Sequence, residues 1–396
     1  MHRLQAELNI GLFGHVDHGK TNLTYAMTKK WTDTHSEEIK RGISIRLGYA
    51  DASVYYCSKC KQNSFSEKCK CGEKGELKRK ISFIDAPGHE TLMTTAISAS
   101  SIIDGALFLI AANEKCPQPQ TMEHMMVLEA LGIENIIIAQ TKIDLVSKEE
   151  AKENYNSIRE FLKGTYLKDK NVPIIPVCAY HKINIDKMAD AIEEYMPTPK
   201  RDKKAPLRIY ISRSFDINKP GSEIKKLKGG VIGGSIAQGI LKDGDEVTLV
   251  PGIQYEKEIV PVTFKVSGLM SEKDKIKEAH PGGLIAIGTT LDPALTKSDS
   301  VVGSILGKKG EVPPKLVEIS IKYEMFKREG LIPLIEGEPV VVNVHTATTV
   351  GIITKLKKGV ATIRLKKAVA ADKGCKAALS KRAGQRWRLT AWGEVI

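Results

Sequence analysis

The sequence predicts a parallel α/β domain followed by two antiparallel β-barrel domains. Apolar runs alternate with amphipathic stretches up to residue 198, residues 196–205 form a Pro- and Lys-rich break, and beyond it come short β-rich runs divided by Gly, Pro and Asp. At 396 residues the chain exceeds the usual size of one hydrophobic core. Apolar, strand-like runs at 8–13, 81–85, 106–111, 136–140 and 174–177 have longer amphipathic stretches between them, such as 121–131 and 148–162. That pattern belongs to a parallel sheet wrapped by helices. Pro197 and Pro199 read as a linker. The runs at 208–213, 246–250, 283–288, 317–323, 340–344, 359–365 and 386–392 read as barrel strands, and a Gly/Pro/Lys stretch at 310–314 divides them. The expected domains are therefore 1–200, 205–310 and 311–396.

Composition narrows the function classes. Charged and apolar fractions of 27% and 42% fit a soluble globular protein. The longest apolar run, 102–112, is broken by Asp104 and Gly105 and falls short of the roughly 20 residues that span a bilayer. No secretory signal is visible at the N-terminus, so a cytoplasmic protein without a membrane partner is expected. Lys and Arg outnumber Asp and Glu by 60 to 47, a formal charge of +13. A Lys/Glu surface would nearly balance; this excess favours a polyanionic partner.

The strongest chemical signal is GHVDHGKT at 14–21, between an apolar strand and a helix-forming stretch at 22–30. Its glycines let backbone N–H groups face phosphate oxygens, and the helix N-terminus adds a favourable dipole. Lys20 is placed to reach β- and γ-phosphates, and the Thr21 hydroxyl to bind Mg²⁺. DAPGH at 85–89 ends the next motif-bearing strand: Asp85 suits a second-shell Mg²⁺ position, Gly88 permits close backbone approach, and His89 can orient the attacking water. TKID at 141–144 follows a later strand. Asp144 can accept two hydrogen bonds from the N1–H and amine of guanine, a pair adenine does not offer. Such charge-assisted bonds contribute about 1.5–3 kcal/mol each. Lys142 would stack on the base, and the backbone at Cys178, Ala179 and Tyr180 would face its oxygen. Four elements at strand ends fit the carboxyl-edge rule for α/β sheets.

Cys57, Cys60, Cys69 and Cys71 form C-x2-C-x8-C-x-C, suited to a structural, tetrahedral Zn²⁺ in a small insertion at about 55–75. The competing reading is four reduced, unliganded thiols. Cys116, Cys178 and Cys375 are scattered and expected to be buried or inert.

With HVDHGKT, DAPGH and KID in this order, the chain resembles the translational GTPases related to elongation factor Tu. KRGISIRLGYAD at 40–51, RSFDINKPG at 213–221 and LKGGVIGGSIAQG at 227–239, with the cysteine cluster, resemble the gamma subunits of archaeal translation initiation factor 2 across essentially the whole chain. The resemblance implies a P-loop GTPase domain followed by two β-barrel domains. It implies GTP/GDP bound by Asp17, His18, Gly19, Lys20, Thr21, Asn22, Thr141, Lys142, Ile143, Asp144, Cys178, Ala179 and Tyr180. Mg²⁺ would lie near Asp17, Thr21, Gly42, Ser44 and Asp85, with Ser44 as the switch hydroxyl. Catalysis would fall to His89, Asp85 and Lys20, with Val16 and Ile43 as an apolar gate beside His89. It further implies methionyl initiator tRNA, alpha and beta subunits and the small ribosomal subunit as partners; RNA held through phosphate and shape would account for the positive charge. The basic blocks 355–358, 364–367 and 376–388 read as solvated faces that border a binding rim.

Three positions depart from the family pattern. Thr141 replaces Asn, so the amide tying the base pocket to the phosphate loop is expected to be missing; one neutral hydrogen bond is worth about 0.5–1.5 kcal/mol, roughly two- to tenfold in affinity. Ser44 replaces Thr but keeps its hydroxyl, and Cys178 replaces Ser where the backbone does the work. The alternatives are an elongation-type aminoacyl-tRNA carrier and a non-catalytic assembly scaffold.

Overall fold

A computed structural model describes residues 5–32, 48–85, 97–98, 101–219, 221, 223, 227–256, 258–326, 331–384 and 386–396. The chain divides into two compact units, 6–199 and 200–396, the second including the first five residues.

The first unit is built on a seven-stranded sheet in the order β3-β2-β4-β1-β5-β6-β7. Its parallel part comprises β1 (Leu8–Gly14), β4 (Glu76–Asp85), β5 (Gly105–Ala111), β6 (Ile136–Thr141) and, at the edge, β7 (Ile174–Pro176). β1, β5 and β6 are buried along their whole length, which is why they read as unbroken apolar runs. The helices are α1 (Lys20–Thr28), α2 (Pro119–Leu131), α3 (Lys148–Lys163) and α4 (Ile185–Tyr195). α3 starts at a capping box: the Ser147 hydroxyl accepts from the Glu150 N–H, and the Glu150 carboxylate accepts from the Ser147 N–H. α4 is closed at its far end by buried Arg79, which pairs with Glu193 at 2.6 Å and donates to the carbonyls of Ile192 and Met196.

The sheet is mixed, not purely parallel. β2 (Gly48–Cys57) runs antiparallel to β4 and to β3 (Gln62–Ser64), because the cysteine-bearing segment joins them as a hairpin rather than through a helical crossover. β2 also escapes a search for apolar runs: Ala50, Ala52 and Val54 point inward and alternate with residues only partly covered.

The second unit holds two closed barrels. In the first, β8 (Arg208–Phe215), β9 (Val231–Gln238), β11 (Glu246–Tyr255), β12 (Glu258–Ser271), β15 (Ile285–Thr289) and β16 (Ile305–Lys308) close through the β11–β12 pairing. β13 (Asp274–Ile276) folds back antiparallel on the end of β12, and β10 (Leu241–Lys242) pairs with β14 (Glu278–Ala279). In the second, β17 (Lys315–Met325), β18 (Pro339–Val344), β19 (Ala347–Lys357), β20 (Val360–Ala370), β21 (Lys376–Ala383) and β22 (Arg386–Val395) close in the order β17-β20-β19-β18-β21-β22. Each barrel encloses its own apolar core, of residues such as Ile209, Val247 and Ile287 in one and Ile321, Val342 and Ile363 in the other. Between the barrels Tyr210 stacks on His345 with ring centres 4.2 Å apart, and Arg208 pairs with Asp372 at 2.8 Å.

Lys355, Lys357, Arg364, Lys366, Lys376 and Arg386 are exposed, as expected of solvated basic blocks, but Lys381 is buried against Glu338. The third block is therefore partly a structural ion pair. Among the described residues no helix is long and apolar enough to cross a membrane.

Candidate nucleotide site

The fully buried β1 delivers the chain into the phosphate loop. At Gly14, φ is +143°, and a Cβ would lie 2.5 Å from the Leu109 carbonyl oxygen, so a side chain is excluded where β1 passes β5. The loop turns through Asp17 at φ 64° and reaches α1 through Gly19 in the left-handed region, φ 84°. The buried Lys20 ammonium donates to the carbonyls of Gly14 at 2.9 Å and His15 at 2.8 Å, which stitches the loop around its own cation. Asp17 and Asn22 are exposed, and Val16 is half-buried.

Asp85 is fully buried at the end of β4 and lies in register with Leu12 of β1. Its Oδ2 accepts from the Thr21 hydroxyl at 2.8 Å and from the Thr32 hydroxyl at 2.8 Å. A carboxylate and a hydroxyl converging at the mouth of a phosphate loop form the oxygen-donor set that Mg²⁺ takes, so the residues fit that ion. Thr32 was not legible beforehand, since it belongs to no motif.

The base-reading element is joined to the phosphate loop. Thr141, at the end of β6, donates from Oγ1 to the His18 carbonyl at 2.8 Å. The expected missing tie is thus corrected: a shorter side chain makes the connection with its hydroxyl. The imidazole of buried His18 is held at Nδ1 by the Leu109 carbonyl at 2.9 Å and at Nε2 by the Glu114 carboxylate at 3.1 Å. Burial lowers its pKa, opposed by both of those partners. Glu114 was another residue without a sequence signal.

Lys142 has φ 57° and leads into a short 3₁₀ turn, Ile143–Leu145, that presents the exposed Asp144. A hydrogen bond from the Cys178 thiol holds the Asp144 carboxyl below the usual carboxylate range. Cys178 is buried, Ala179 half-buried and Tyr180 is 87% exposed. Gly42, Ile43, Ser44, Gly88 and His89 lie outside the described residues.

The four cysteines converge in the β2–β4 hairpin. Cys57 and Cys71 Sγ are 3.6 Å apart, as are Cys60 and Cys69 Sγ, and all four lie within 4.8 Å of one another. Zn–S bonds of about 2.3 Å in a tetrahedron put sulfurs roughly 3.8 Å apart, so the four thiols fit the ion. The Glu73 backbone N–H pulls Cys71 down to about 7. The hairpin is fastened to α4 by Asn63, whose N–H donates to Asp190 at 2.8 Å, and by Ser64, whose hydroxyl donates to Asp186 at 3.1 Å.

Comparison with known proteins decides what this site belongs to. Residues 5–198 match the family "Elongation factor Tu GTP binding domain", and residues 317–395 match "Initiation factor eIF2 gamma, C terminal". Translation initiation factor 2 subunit gamma of Methanococcus aeolicus is 54% identical, over 99% of this chain and 98% of its own length. The chain belongs to the translation initiation factor 2 gamma subunit family. The Pyrococcus furiosus member is 49% identical over the same 99% of this chain and 98% of its own. Among solved structures, a bacterial selenocysteine-specific elongation factor EF-Sec superposes with a TM-score of 0.76 at 27% identity, over 98% of this chain and 58% of its own. The elongation factor SelB of Methanococcus maripaludis, in complex with the GTP analogue GppNHp, gives 0.75 at 23% over 100% of this chain and 80% of its own, which supports the fold. The chain is accordingly a translational GTPase of initiation, an activity that implies GTP/GDP and Mg²⁺.

Proposed function

We propose that this GTPase carries methionyl initiator tRNA to the small ribosomal subunit in the cytoplasm, as one of three subunits together with an alpha and a beta subunit. The reading assigns nucleotide binding and hydrolysis to residues 1–200, which include the zinc-bearing insertion at 55–75, and cargo and partner binding to barrels at 205–310 and 311–396. One pair of contacts carries it: Thr21 on Asp85 and Thr141 on the His18 carbonyl, which draw the two motifs at 85–89 and 141–144 against the loop at 14–21.

In this reading the backbone of 17–22 and the Lys20 ammonium hold the phosphates, while Lys142, Ile143 and Asp144, with the backbone of 178–180, hold guanine. Mg²⁺, when bound, neutralises phosphate charge; Thr21 and Asp85 would hold it with Asp17, Gly42 and Ser44. His89 orients the attacking water, and Asp85 and Lys20 complete the catalytic set. Cys57, Cys60, Cys69 and Cys71 hold a structural Zn²⁺. The ordered, GTP-bound state holds tRNA, and hydrolysis releases it.

The test is filter binding of methionyl initiator tRNA to the assembled three-subunit factor with GTP and with GDP, in competition with an elongator tRNA. Preference for the initiator in GTP is expected. Equal retention in both nucleotides would remove the switch, and preference for the elongator would reassign the cargo.

A further inference from the structure

We infer that Asp144, Cys178 and His181 form a second metal site, a thiophilic one, which takes Zn²⁺ at the rim of the base pocket when no nucleotide is bound. The inference rests on the guanine-reading role proposed for Asp144. The carboxylate oxygen, the Sγ and the ring nitrogen of these residues all lie within 4.8 Å of one another. Cys178 and His181 are spaced C-x2-H on a single turn, a spacing that lets two ligands meet one ion. Reciprocal backbone bonds close that turn: Cys178 N–H to the Ile183 carbonyl at 3.3 Å and Ile183 N–H to the Cys178 carbonyl at 2.9 Å. The His181 N–H donates to the Cys178 sulfur at 3.4 Å, which fixes the sulfur on the turn. Asp144 approaches from the separate 3₁₀ turn, Ile143–Leu145.

The chemistry of the set selects the ion. One sulfur, one imidazole nitrogen and one carboxylate oxygen suit Zn²⁺, whereas Mg²⁺ asks for oxygen alone. Zn–S near 2.3 Å and Zn–N or Zn–O near 2.0–2.2 Å bring ligand atoms to about 3.5 Å from one another. Asp144 and His181 are exposed, so side-chain rotation closes the remaining gap, while the buried Cys178 stays fixed. On binding, the thiol proton leaves to solvent as the sulfur–zinc bond forms, and water fills the fourth position. A serine at 178, as in the family pattern, would place a hydroxyl where zinc finds no ligand. The same Asp144 carboxylate cannot hold both the ion and guanine, so metal and nucleotide exclude each other.

The test uses the full chain stripped of metal and then titrated with Co²⁺, read by thiolate-to-cobalt absorption, and with Zn²⁺, read by equilibrium dialysis. The wild type is expected to bind one equivalent more than either Cys178→Ser or His181→Ala; equal equivalents overturn the inference. A second measurement uses the unmodified protein. Saturating GDP with Mg²⁺ is expected to release one equivalent of Zn²⁺ to a chromophoric chelator; full retention of zinc while calorimetry registers GDP binding overturns it. No GDP binding to the metal-free chain would instead refute the nucleotide reading and the exclusion, leaving the metal site to stand on the one-equivalent difference.

Discussion

Replacing Thr141 with Val tests whether the hydroxyl tie to the phosphate loop matters. The side chain is 5% exposed, and its hydroxyl lies 2.8 Å from the His18 carbonyl. Valine keeps the shape but puts a methyl group against that carbonyl. Losing the bond and leaving its buried partner unsatisfied costs about 1–2 kcal/mol. The bond joins two parts of the folded chain, so stability should fall by about that amount. Once the loop is no longer aligned with the base-reading turn, GDP affinity should weaken about 5- to 30-fold. Thr141→Ser keeps the donor and should stay within about threefold of wild type, because one hydrogen bond is retained. Isothermal calorimetry with GDP, run beside urea melts, reads both effects. If Thr141→Val binds GDP as tightly as wild type and melts at the same urea concentration, the tie is incidental and this reasoning fails.

Asp144→Asn should lower guanine affinity by about 10- to 100-fold, since one charge-assisted pair is lost, and should erase the preference for GDP over ADP in competition assays. His89→Ala is expected to slow ribosome-stimulated hydrolysis at least about 100-fold with GTP affinity nearly intact; single-turnover kinetics separate the two. Cys60→Ser should cost one zinc per chain by elemental analysis and raise hydrogen exchange across 57–75. Burial pushes the His345 imidazole down to about 4. The unfolded chain therefore takes up the proton first as pH falls, so stability is complete above pH 6.5 and declines toward pH 4. Between pH 7 and 5 the loss should be about 2 kcal/mol. His345→Asn, which tolerates the left-handed backbone at φ 50°, should flatten that part of the profile in denaturant melts.

What could be read from the sequence follows from how locally each feature is encoded. The loop at 14–21 and the turn at 141–144 are contiguous and each follows a fully buried strand, so their order and their place at the carboxyl edge were legible. The antiparallel β2 was not, because alanines do the inward packing. β9 was hidden by Gly233 and Gly234, which read as breakers, and β19 by its exposed Val350 and Ile352, which blur the alternation. Contacts across the site were beyond local reading altogether. Thr32 meets Asp85 across 53 residues, and His18 meets Glu114 across 96, with nothing in either neighbourhood to announce the pairing. Thr141 shows the converse: comparing side-chain types alone judged a tie lost that its hydroxyl makes to the His18 carbonyl.

Tyr210, Arg208, Val250 and Ile305 belong to one barrel, and His345, Asp372 and Ala370 to the other, yet they bury surface against one another. A seam that is stacked, ion-paired and apolar at once gives the two barrels little freedom to slide or part independently. They should denature in one cooperative step, with coincident curves from Trp387 or Trp392 fluorescence and from a probe on the earlier barrel. Any cargo that touches both would then meet a single preset surface, with no entropy lost in bringing two halves together.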